Sequence, residues 1–87
     1  MIERTVTVVP EDGLHARPAS KVVEAAGSYE SRITVGPLDG EGIDASSMLG
    51  VTSLGVGPGD DVLITADGPD EAEAVDEIES ILSTPES

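Results

Sequence analysis

One stretch of this 87-residue sequence has the residue types for chemistry: Gly13-Leu14-His15-Ala16-Arg17-Pro18-Ala19. It holds the only histidine, and two of the four basic residues, Arg17 and Lys21, lie within six positions of it. A neutral imidazole keeps a nitrogen lone pair for attack on an electrophile, and an arginine guanidinium is a planar fork that matches phosphate oxygens. The chain has no cysteine, so it offers no thiolate nucleophile, no thiolate metal ligand and no disulfide.

The surrounding pattern places the histidine. A strand-like run from Ile2 to Val9 stops at Pro10, a turn-prone Glu11-Asp12-Gly13 follows, and an alanine-rich helical pattern runs from Ala16 to Ala26. His15 is therefore expected at a helix N-terminus. Unpaired N–H groups and the positive end of the macrodipole, about half an elementary charge, favour an anion there and disfavour imidazolium. Pro18 fits the first helical turn, which does not need its missing donor. The motif reads as a site for a phosphoryl group carried on His15, stabilised by the amides of Ala16 and Arg17 and by the Arg17 side chain. A solvated or capping histidine beside a turn is the competing reading, and spacing alone leaves both open.

Gly13-Leu14-His15-Ala16-Arg17-Pro18-Ala19 resembles the active-site signature of the HPr family, the histidine-containing phosphocarriers of the phosphoenolpyruvate:sugar phosphotransferase system. Two further stretches are similar to the family: Ser47 to Val56, and Gly57-Pro58-Gly59-Asp60 followed by Val62-Leu63-Ile64-Thr65-Ala66. The resemblance runs from about Ile2 to Leu82. It implies that His15 takes phosphate from phospho-enzyme I on Nδ1 and passes it to an enzyme IIA domain, with the protein a co-substrate of phosphotransferases and not itself an enzyme. It also aligns Ser47 with a serine that a dedicated kinase marks in some members. Asp12 departs from the neutral residue common before the motif's glycine. Capping is a sufficient reason for it, but its charge beside a phosphate also suits a raised transfer potential.

The length suits one domain over residues 1–87, with a frayed tail at 83–87. Phe and Trp are absent and Tyr29 is the only aromatic, so valine, isoleucine, leucine and alanine must build the core. Eighteen acidic against four basic residues give a net charge of −14, which argues against nucleic acid and anionic membrane as partners. Apolar periodicity argues against disorder, leaving adaptation to high salt, where a Debye length of about 3 Å at 1 M screens self-repulsion. No apolar run approaches the roughly 20 residues that cross a bilayer. A cytoplasmic monomer without metal or cofactor is expected.

Along the chain, Val6 and Val8 alternate with threonines as a half-buried strand. Helix one turns Ala16, Ala19, Val22, Val23 and Ala26 inward and Lys21 and Glu24 outward, with Gly27 as its stop and Tyr29 packed over its end. Arg32 to Val35 and Glu41 to Ala45 form a hairpin through Pro37-Leu38-Asp39-Gly40. Ser46 and Ser47 open a short helix, Met48 to Ser53, with either serine as N-cap. Val51 and Leu54 suit the core and Met48 and Leu49 an exposed docking patch beside His15; Leu54 and Lys21 complete the docking candidates. Gly55-Val56-Gly57-Pro58-Gly59 reads as a turn and not a phosphate loop, having no following Lys-Ser/Thr and no helix. Val62, Ile64 and Ala66 point inward from the last strand. Gly68-Pro69-Asp70 starts the final helix, whose stripe is Ala72, Val75, Ile78 and Leu82, with Ile81 alongside. Its acidic first turn complements the dipole and carries no catalytic role.

The order strand, helix, strand, strand, helix, strand, helix gives an α+β domain with helices on one face of a four-stranded sheet. The resemblance adds that the sheet is antiparallel, an open-faced sandwich. Two other roles fit the same residues, a phosphorylation-dependent regulator and a phosphoryl donor to a dihydroxyacetone kinase. A degenerate fold that only binds fits less well, since it has no need of the nucleophile.

Overall fold

In the computed structural model, which describes residues 1–9 and 16–84 and for 16–18 the backbone only, period-two alternation decides which way the sheet faces. The elements are β1 (Ile2–Thr7), α1 (Ala16–Ser28), β2 (Arg32–Pro37), β3 (Ile43–Asp44), α2 (Met48–Ser53), β4 (Asp61–Asp67) and α3 (Glu71–Ser83). All strand pairs are antiparallel in the order β1-β4-β2-β3, so the first strand lies beside the last. Val6 pairs with Val62, while Ile33 and Val35 pair with Ala66 and Ile64, and all six are buried beneath the helices. The alternate residues Glu3, Thr5, Thr7 and Arg32 are exposed on the other face. Alternation of this kind fixes the register, because a slip of one residue would exchange the two faces.

The helices supply complementary stripes. Ala19, Val22, Ala25 and Ala26 of α1 are buried, as are Ala74, Val75, Ile78 and Leu82 of α3. Ala74 takes the place expected of Ala72, which is exposed; residues 74, 78 and 82 follow one four-residue ridge, with Val75 beside it. Tyr29 packs half-buried against this core.

Several boundaries move for identifiable reasons. β1 ends at Thr7, two residues before the expected Val9. α1 passes Gly27 and ends at Ser28, whose hydroxyl donates to the Ala25 carbonyl at 2.7 Å and satisfies an acceptor that the helix end leaves open. β2 runs on to Pro37 because β4 is long enough to pair Gly36 with Leu63 and Pro37 with Val62. β3 shrinks to Ile43–Asp44, although Ala45 N–H still donates to Ile33 O at 2.9 Å. The hairpin is tight here: a Cβ on Gly36 would lie 2.6 Å from Gly42 Cα. The Pro37 to Gly40 turn forms as expected, closed by Gly40 N–H on Pro37 O at 3.3 Å. α3 extends through Ser83, and Thr84 Oγ1 donates to Ser80 O at 2.6 Å, so residues 83 and 84 of the expected tail belong to the helix end; residues 85–87 lie outside the described residues.

Two polar fastenings tie distant segments to α3. Arg4 on β1 donates from one nitrogen to Asp76 Oδ1 at 2.7 Å and Glu79 Oε1 at 2.9 Å. Asp70 stands at the N-cap of α3 but makes no side-chain cap bond. Its carboxylate reaches back to the start of β2 instead, accepting from Glu30 N–H and Ser31 N–H, each at 2.9 Å, and from the Ser31 hydroxyl. These donors, the Ser31 hydroxyl foremost, hold the Asp70 carboxyl below the ordinary aspartate range. A carboxyl with a lowered folded pKa stabilises fully above its unfolded pKa, and that contribution is lost as pH falls through the folded value. Asp70→Asn, which resembles the protonated acid, is therefore expected to be less stable than wild type at pH 7. The gap should narrow progressively as pH falls below about 4. Urea unfolding at pH 7 and pH 3 checks this; a gap of equal size at both would show that the charge is irrelevant.

Candidate functional site

The candidate site residues fall on or beside α1 and the short helix α2, which pack against each other. α1 begins at Ala16, the residue after His15. His15 and Asp12 lie outside the described residues, and the Arg17 side chain is likewise not described. What the structure does place is the backbone of Ala16 and Arg17 in the first turn of a 13-residue helix, where N–H groups lack intrahelical acceptors.

α2 is only six residues long and depends on its hydroxyls. Ser47 is its N-cap: Ser47 Oγ accepts from Gly50 N–H at 3.1 Å, and Ser47 O accepts the first helical bond from Val51 N–H at 2.9 Å. Of the two serines considered for the cap, Ser46 does something else. Its N–H and hydroxyl donate to Asp44 Oδ1 at 2.9 and 2.7 Å, closing a turn ahead of the helix and holding the Asp44 carboxyl below its ordinary range, the hydroxyl contributing most. Asp44 and Ser46 two positions apart are the sequence signal for this turn. Thr52 Oγ1 donates to Met48 O at 2.9 Å and Ser53 Oγ to Gly50 O at 2.7 Å.

These bonds leave an apolar end. Met48 is 41% exposed and Leu49 82%, whereas Val51 is fully buried and Leu54 packs half-buried against the core. Burial therefore divides these four as expected, with Val51 and Leu54 on the core side and Met48 and Leu49 exposed. Lys21 lines a groove between α1 and α3 together with Glu24, Ala25, Ser28, Glu77 and Ile81. Gly57 to Asp60 is a turn, closed by Asp60 N–H on Gly57 O, and the strand β4 follows it as expected. Among the described residues no group of three or more His, Cys, Asp or Glu is arranged to hold a metal ion.

Four antiparallel strands with three helices on one face, and a histidine motif abutting the first residue of α1, define an open-faced α+β domain of the phosphocarrier class. The chain belongs to the HPr family. The family model described as the PTS HPr component phosphorylation site matches residues 2–84. The phosphocarrier protein HPr of Haloferax volcanii is 54% identical over 87 residues, covering 99% of this chain and 98% of that one. Among solved structures, HPr from Bacillus anthracis superposes with a TM-score of 0.89 at 32% identity, over 94% of this chain and 96% of that one. HPr from Thermoanaerobacter tengcongensis gives 0.88 at 38% identity, over 94% and 91%. The protein is thus a phosphocarrier of the phosphotransferase system. Its carboxylate excess, in keeping with a Haloferax relative, is that of a halophilic protein.

Proposed function

We propose that His15 is the phosphoryl carrier, charged by enzyme I and discharged to an enzyme IIA domain. One observation supports this above the others: the family match spans the His15 motif, and α1 starts at the very next residue. An imidazole nitrogen, Nδ1, attacks phosphorus as the bond from phosphorus to the donor breaks, and the reverse process at the acceptor releases the ring. The Ala16 and Arg17 amides and the Arg17 guanidinium stabilise the dianion, and the partner enzymes supply in-line positioning. The protein is a co-substrate in these transfers, working as a monomeric single domain in the cytoplasm; no helix among the described residues is long and apolar enough to cross a membrane. Met48 and Leu49 form the docking patch, to which Lys21 and Leu54 contribute.

Intact-mass analysis tests the central claim. Incubated with enzyme I and phosphoenolpyruvate in molar potassium chloride, the protein is expected to gain one acid-labile phosphate that His15→Ala abolishes. No labelling, with enzyme I active on another HPr, would sink it.

A second reading concerns regulation. Ser47 is exposed, and its hydroxyl accepts only one hydrogen bond from the helix it caps. A phosphate there would add about −1.5 to −2 charge beside Met48 and Leu49, weakening an apolar contact. An acid-stable phosphate on Ser47 in protein isolated from its own cells is the observation this reading requires.

A further inference from the structure

Sulfur is scarce in this chain. There is no cysteine, and the two methionines, Met1 and Met48, hold all of it. A thioether is oxidised where it meets solvent, and the chain has no thiol to take the oxidant first. Met1 is exposed beside Asp67 and Glu71, which its amine meets at 4.0 and 3.0 Å. Met48 is exposed at the first position of α2, next to Leu49. Of the two sulfurs, Met48 is the one that belongs to the apolar end of α2.

The fold makes little use of the Met48 side chain. α2 is fastened to the core by fully buried Val51 and half-buried Leu54. Its backbone is held by the Ser47 cap on Gly50 N–H, and by Thr52 Oγ1 and Ser53 Oγ, which donate to the carbonyls of Met48 and Gly50 at 2.9 and 2.7 Å. An oxygen added to the Met48 sulfur breaks none of these bonds. It changes the surface instead, turning a flexible apolar side chain into a polar, chiral one. Folding alone would be served as well by leucine at this position, which matches methionine in helix propensity and has no sulfur to oxidise.

We propose that Met48 is a modification site, oxidised reversibly to the sulfoxide, and that this modification weakens docking at α2. The inference rests on reading Met48 and Leu49 as the docking patch. A peroxide is the oxidant. The sulfur lone pair attacks one peroxide oxygen as the O–O bond breaks; that oxygen stays on sulfur, and the other leaves as water after taking the proton. Sulfur loses two electrons and the peroxide gains them. Methionine sulfoxide reductase reverses the step at the expense of a dithiol, which becomes a disulfide while the oxygen departs as water. A partner docked on the modified patch has to cover an S=O dipole to which an apolar contact offers no donor. In molar salt charge does not compensate, because screening confines it to a few ångströms.

The test treats the full chain with hydrogen peroxide in molar potassium chloride, destroys the excess, and compares wild type with Met48→Leu before and after. Trypsin separates the two methionines, since Met1 precedes Arg4 and Met48 follows Arg32, so mass spectrometry reads each sulfoxide. Oxidation of wild type is expected to raise KM for phosphoryl transfer from enzyme I about fivefold, as for loss of a moderate interface contact, with kcat little changed. Its melting temperature should move by no more than about 3 °C. Methionine sulfoxide reductase should restore KM. In Met48→Leu, peroxide should leave KM where it started, although Met1 is oxidised.

An unchanged KM in wild type carrying the Met48 sulfoxide would overturn the proposal, as would an equal rise in Met48→Leu, which would put the damage elsewhere. So would the absence of sulfoxide at Met48 once Met1 is converted. Leu49→Asp separates the proposal from the docking reading on which it rests. If that variant raises KM and the sulfoxide does not, the proposal fails and the docking patch stands; if neither raises it, both fail. Should wild type accept no phosphate, calorimetric binding of enzyme I to the same proteins decides in place of KM, and equal affinities with and without the sulfoxide overturn the proposal.

Discussion

Ile78→Ala is expected to destabilise the protein by about 3 kcal/mol, which corresponds to a fall in melting temperature of roughly 15 °C for a domain of this size. Ile78 is fully buried, and with Ile64 and Leu82 it is among the three largest fully buried side chains. Among the described residues, eight of the eighteen buried hydrophobic ones are valines and six are alanines, leaving three isoleucines and one leucine, with no aromatic. Small side chains with stiff rotamers have little reach to collapse into a void. The three carbons removed would leave their space empty between α3 and the sheet. An 87-residue domain has about 4 to 13 kcal/mol in total, so the loss is a large share of it. Denaturant unfolding in molar salt should show a lower midpoint at unchanged slope. A loss below about 1 kcal/mol would mean that the core repacks freely.

Charge compounds this economy of packing. With 18 acidic and four basic residues, the folded chain repels itself in dilute buffer, and salt removes the repulsion without adding a contact. Arg4 bridges two carboxylates of α3, Asp76 and Glu79. The N-terminal amine does similar work at the other end of that helix, 3.0 Å from Glu71, whose carboxyl it holds below its ordinary range.

Local chemistry made some features readable from sequence. The bounds of α2 were legible because Ser47 caps it and the apolar run starts at once. The inward residues of β4 were legible because Val62, Ile64 and Ala66 alternate without interruption. The histidine motif stood out through residue types that nothing else in the chain repeats. Features that escaped depended on partners far away in sequence. Nothing near Asp70 says that it will abandon its helix for Ser31, 39 residues upstream. Gly27 carries a stop signal that Ser28 overrides by bonding backward. Gly57-Pro58-Gly59-Asp60 announces a turn, but its glycine amide can replace Asp60 opposite Val8 only when β1 and β4 lie side by side.

Leu49→Asp carries the second large effect, this time on recognition. Leu49 is 82% exposed on a helix that needs no contribution from its side chain, since hydroxyls of Ser47, Thr52 and Ser53 bond the backbone around it. Stability should therefore change by no more than about 0.5 kcal/mol, as for other surface positions. A leucine kept in water on a protein so rich in carboxylates is better explained by a partner than by folding. In molar salt, steering by charge reaches only a few ångströms, so the complex with enzyme I has to rest on apolar contact. Placing a carboxylate at its centre should raise KM for phosphoryl transfer at least tenfold, on the order of an interface hot spot, with kcat little changed. Met48→Ala, which only trims the 41% exposed neighbour, should raise KM less. If KM for Leu49→Asp equals that of wild type, docking lies away from α2. If kcat falls instead, α2 acts on His15 placement and not on binding.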